Sequence, residues 1–124
     1  MNNYDDIDFL APWCALNKIF GFSPKTGLEA IRHFGSAADI FRANKKELSG
    51  FFGYGSKYTG LISGKALQES AEELTGLKDS GSRFICIGDS RYPQMLRECE
   101  DPPIGLYIKG KTPIEKLDGG RPAI

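Results

Sequence analysis

Two seven-residue stretches share one pattern, and the pattern suits anion binding. Ile19-Phe20-Gly21-Phe22-Ser23-Pro24-Lys25 and Phe51-Phe52-Gly53-Tyr54-Gly55-Ser56-Lys57 each place two apolar residues, a glycine, an aromatic and a small residue ahead of a helix start. Each also puts a lysine in the first turn of the new helix. Glycine allows positive φ and close approach of a phosphate, and free amides at a helix start attract negative charge. The second copy keeps both glycines, whereas the first carries Ser23 in the second position. The primary candidates for phosphate contact are therefore Gly53, Gly55, Ser56 and Lys57, with Gly21, Ser23 and Lys25 second. The apolar residue between the glycines is expected to anchor the turn in the core. Phe20, Phe22, Phe51, Phe52, Tyr54 and Tyr58 fall at core-facing spacing, and a stacking role would require exposure beside basic groups.

Other chemistries find little support. The one histidine, His33, sits on a helical stretch between Ile31 and Phe34 with no partner to complete a catalytic set, and reads as a partly exposed helix residue. Cys14, Cys86 and Cys99 have neither metal-ligand spacing nor the density of a disulfide scaffold. No glycine-rich loop follows a strand in P-loop or dinucleotide-binding form; Gly119-Gly120 precedes a strand candidate instead. The expectation is a protein with no enzymatic activity, no cofactor and no metal.

The chain has 124 residues, 40% of them hydrophobic, and 16 basic against 16 acidic side chains. That is enough apolar material for a core, while the longest apolar runs are far shorter than a membrane span. The acidic start MNNYDDID lacks the basic region of a secretory signal, so a soluble, reduced, cytoplasmic setting is expected. Charge is unevenly spread: residues 1–16 sum to −3, 17–65 to +5, 66–80 to −3 and 81–124 to +1. The basic stretch suits a polyanion, or simply a set of solvated helix faces.

Positioning falls to a run of short helices. Phe9, Trp13, Leu16 and Phe20 form one helical stripe, with Pro12 placed in its first turn. Ser23-Pro24 opens a second helix carrying Leu28, Ile31 and Phe34, closed by Gly35. Ser36 with Asp39, Asn44 with Glu47, and Ser56 cap the next three. Leu67, Ala71 and Leu74 continue to about Ser80, and Gly60 and Gly64 leave open one kinked helix or two. Composition changes near Gly81, which divides a helical domain, 1–80, from a β-containing segment, 81–124. Strands are expected at Arg83–Ile87 and Gly105–Lys109, with a helical turn started by Pro93 between them and a third strand beginning at Arg121–Ile124. So short a β unit reads as an unfinished sheet.

The doubled pattern resembles the helix-hairpin-helix motif, which grips the sugar-phosphate backbone without reading bases. A second resemblance follows Gly81. Gly88-Asp89-Ser90-Arg91-Tyr92-Pro93-Gln94-Met95-Leu96, then Asp101-Pro102-Pro103, then Leu106-Tyr107-Ile108-Lys109-Gly110 resemble the DNA-processing protein DprA (Smf) family in order and separation. Phe34-Gly35-Ser36-Ala37 agrees upstream, so the resemblance covers residues 9–124. It implies a mainly α architecture: a SAM-like or helix-hairpin-helix-like helical domain, then an incomplete α/β, Rossmann-like lead-in of two or three short strands. It implies a role in natural transformation (competence), through single-stranded DNA and RecA. The principal single-strand site and the Gly-Ser-Arg motif of such proteins would follow Ile124, so this segment would be an accessory backbone-binding module. The alternative is a protein-docking or homo-oligomerising module without DNA contact. Asp89, Tyr92 and Pro93 are expected to be scaffold.

Overall fold

A computed structural model describes residues 6–109. Helix α1 spans Ile7–Ile19, α2 Pro24–Phe34, α3 Ala37–Arg42, α4 Lys45–Phe52, α5 Lys57–Leu61 and α6 Gly64–Asp79. Strand β1 (Arg83–Cys86), helix α7 (Gln94–Arg97) and strand β2 (Gly105–Ile108) complete the order. The described chain is mainly helical with one small sheet.

Local chemistry sets most helix boundaries. Asn44 Oδ1 accepts from Glu47 N–H and Glu47 Oε1 from Asn44 N–H, a reciprocal capping box for α4. Ser36, Ser56 and Ser63 hydroxyls accept from Asp39, Tyr58 and Ala66 amides at the starts of α3, α5 and α6. With Ser63 as a fresh cap, the stretch from Ser56 to Ser80 divides into two helices. Gly35 ends α2 at φ 108°, a conformation that favours glycine. Two expectations are corrected. Helix α1 begins after Asp6, whose carboxylate caps Asp8 N–H, so Pro12 lies in the helix interior. There it removes the amide that the Asp8 carbonyl would otherwise receive. Ser23 makes no side-chain cap for α2. Asp101, 76 residues later, accepts from the Lys25 amide at 3.1 Å instead.

The strands pair antiparallel, Phe84 opposite Tyr107 and Cys86 opposite Gly105. Strands of a Rossmann-like sheet run mostly parallel. The third strand expected at Arg121–Ile124 lies outside the described residues. A Cβ on Gly105 would fall 2.1 Å from Phe84 Cζ, so only glycine lets that ring lie across the pair. Alternation along β1 sends Phe84 and Cys86 against Leu10, Ala11, Cys14 and Leu74 of α1 and α6. Ile85 turns the other way, onto Tyr92 and Ile108.

The largest apolar cluster joins Leu16, Phe20, Ala30, Ala37, Ile40, Leu48 and Ile62, from the helices and their C-caps, to Ile104 from the segment before β2. Gly27 makes that junction possible, because a Cβ there would lie 2.6 Å from Ile104 Cδ1. Burying an isoleucine fully is worth about 1.5–3 kcal/mol, so Ile104 is a substantial anchor. Composition and element type change at Gly81, but the apolar packing continues across it.

Candidate nucleic-acid interface

The two repeats meet through the second apolar residue of each. Phe20 and Phe52 stack with centroids 5.8 Å apart, and Tyr58 closes on both at 4.5 and 5.5 Å. Phe51 packs against Phe34 and against the exposed His33 ring, which is held at its surface side. These aromatics belong to the core, as their spacing predicts. The aromatics after the glycines do not. Phe22 and Tyr54 are fully exposed, at 105% and 102%. This corrects the expectation that they anchor the turns. Phe20 and Phe52 already fill the space beneath, and the backbone reverses before the next side chain can reach it.

The second hairpin is a closed turn. Gly53 N–H donates to Ser49 O at 2.8 Å and Ser56 N–H to Gly53 O at 3.2 Å. Gly53 and Gly55 take φ of 100° and 79°, where a side chain would be strained, and open space surrounds both. Ser56 caps α5, and the Gly55 and Lys57 amides have no acceptor among the described residues. Lys57 is exposed, with its ammonium 5.4 Å from the Tyr58 ring centre.

Beside this turn lies a groove of about 960 Å³ walled by α4 and α5. Lys45, Lys46 and Ser49 line one side, and Tyr54, Gly55, Ser56 and Thr59 the other, with no acidic residue among its lining. Thr59 Oγ1 is buried and has no hydrogen-bond partner. The groove takes in Gly55 and Ser56 of the expected set, while Gly53 and Lys57 flank it. Lys45, Lys46, Ser49 and Thr59 were not singled out by motif. The excess of positive charge over 17–65 is the one signal for the two lysines, and it does not say which lysines share a wall.

The first hairpin is built differently. Gly21 keeps a negative φ, and the carboxylate of Asp101 occupies the Lys25 amide. That places a negative charge where a phosphate would have to sit. The structure therefore leaves Gly21, Ser23 and Lys25 with a structural hydrogen bond in place of an open anion site.

The segment from Gly88 to Ile108 interlocks. Asp89 is 1% exposed, and its carboxylate receives the Arg91 amide at 2.9 Å and the guanidinium at 2.8–3.2 Å. Arg97 donates to the carbonyls of Ile87 and Asp89 and lies 5.4 Å from the centre of the Tyr92 ring. The Tyr92 hydroxyl donates to Pro103 O at 2.8 Å, and burial pushes its pKa up to about 12. Every side chain of this group is taken up in holding the loop, in keeping with a scaffold.

A further polar cluster joins α1, α6 and β2. Lys18 pairs with Glu73, and the Cys14 sulfur lies 3.5 Å from the Tyr107 hydroxyl. Burial raises the thiol's pKa, so Cys14 stays protonated and unreactive near neutrality. Burial also opposes ionisation of Glu73, but hydrogen bonds from Lys18 and Tyr107 outweigh it and hold the carboxyl below its usual value.

Among the described residues no group of His, Cys, Asp and Glu could hold a metal ion, and no helix is long and apolar enough to cross a membrane. The partly or wholly exposed large apolar residues Phe9, Phe22, Tyr54, Leu61, Met95 and Tyr107 fall on six different elements or turns. No family model, curated protein or solved structure matches this chain.

Proposed function

We propose that the second hairpin and its groove form an accessory binding surface for the phosphate backbone of DNA. One observation carries this reading: Lys45 and Lys46 share an open groove with the exposed hairpin turn, and no acidic side chain lines it. Lysines on such a wall neutralise phosphates and release counterions, while a closed glycine turn offers amides at close range. The helical part reads as a SAM-like, helix-hairpin-helix-like unit. The wider setting is the one implied by the resemblance of residues 87–110: DNA processing in natural transformation, with single-stranded DNA and RecA as partners of the whole protein. A docking module would instead need a contiguous exposed apolar patch.

Fluorescence anisotropy of a labelled oligonucleotide, titrated at several salt concentrations, tests this. Wild-type protein should bind with a negative salt slope. Each phosphate contact on a single strand contributes about 0.7 to that slope, so Lys45→Ala with Lys46→Ala should flatten it by roughly 1.4. Lys57→Glu should weaken binding as well. An unchanged slope in the double variant would remove the groove from consideration.

A further inference from the structure

We propose that Tyr54 makes this groove selective for unpaired strands, by stacking on a nucleobase whose phosphates lie along Lys45 and Lys46. The inference rests on the backbone-binding reading above and adds a strand-selecting residue to it.

The position of Tyr54 has no explanation in folding. Its ring is fully exposed at 102%, while its neighbours Phe52 and Tyr58 are packed in the aromatic cluster with Phe20. The turn that presents it is closed by the Gly53 and Ser56 hydrogen bonds, so the ring stands on a defined support. It lines the same groove as the two lysines. An aromatic face beside basic groups is the arrangement that binds unpaired bases, because every base has a π-face. In a duplex those faces are covered by the neighbouring pairs, and a side chain on a hairpin tip cannot reach them without unstacking. Lysines and amides alone hold either form of backbone. Tyr54 is thus the part of the site that distinguishes them.

Phe22 is the equivalent residue of the first hairpin and equally exposed. It lacks the setting, because the adjacent Lys25 amide is already bound to the Asp101 carboxylate. Selectivity is therefore assigned to the second hairpin alone.

The test compares a labelled oligo(dT) of about a dozen nucleotides with a duplex of the same length, using the full chain and its Tyr54→Ala, Tyr54→Phe and Phe22→Ala variants. Circular dichroism checks that each variant is folded. Tyr54→Ala should weaken oligo(dT) binding about tenfold, within the range measured for loss of one stacked base, and leave duplex binding unchanged. Tyr54→Phe should retain binding, since the ring and not the hydroxyl does the stacking. Phe22→Ala should behave as wild type. Equal loss on both oligonucleotides, or no loss on oligo(dT), would overturn the selectivity while leaving backbone binding intact. Failure of the wild-type chain to bind either one at low salt would overturn backbone binding and, with it, this inference.

Discussion

Replacing Tyr92 with phenylalanine separates packing from hydrogen bonding and ionisation at one position. The side chain is 2% exposed, and its hydroxyl donates to Pro103 O at 2.8 Å. Phenylalanine keeps the ring, so packing on Ile85 and Ile108 survives. The Pro103 carbonyl loses its donor, at a cost of roughly 1–2 kcal/mol, since that residue is half-buried. Burial also lifts the Tyr92 hydroxyl from 10.0 to about 12. With the folded value raised, the unfolded chain releases its proton first. The wild type is therefore fully stabilised below about pH 10 and loses about 1.4 kcal/mol per pH unit as pH rises towards 12. Tyr92→Phe has no such loss. Its deficit near neutral pH should vanish around pH 11 and reverse above it. Paired urea titrations across that range measure the difference, and every other titrating group cancels because both proteins carry it. A difference that stays constant from neutral to alkaline pH would refute the assigned burial, and no deficit near neutral pH would refute the hydrogen bond.

Three further substitutions test packing and capping away from the groove. Gly27→Ala should lower stability by about 1–2 kcal/mol, because overpacking against Ile104 and Phe20 exceeds the gain in helix propensity. Gly76→Ala, in open space on α6, should raise it by up to about 1 kcal/mol, and thermal unfolding of the two reads both signs. Asp101→Ala should cost roughly 0.5–2 kcal/mol by uncapping α2, again read by urea titration. It should leave oligonucleotide binding at the second hairpin unchanged, and a marked gain in affinity would show that the first hairpin contributes once its carboxylate is gone.

Much of the element order is legible from residues a few positions apart. Asn44 and Glu47, Ser36 and Asp39, Ser56 and Gly35 mark helix ends because their partners lie within one turn, where chain connectivity already brings them together. Short β-prone runs bounded by turn residues place β1 and β2, again from residues close in the chain. The chain's zero net charge hides a basic stretch over 17–65, and that too is readable along the sequence. Tertiary structure decided the rest. Whether Phe22 and Tyr54 are buried depended on Phe20 and Phe52 filling the space first, a contact between residues 32 apart in the chain. Which helix start stayed open depended on Asp101 reaching α2 from 76 residues away. Which lysines share a groove depended on how α4 and α5 cross beside one turn. Local pattern specifies what each short segment prefers, but exposure, competition for an amide and the shape of a groove are properties of segments brought together. They follow from which distant side chains occupy the limited interior volume.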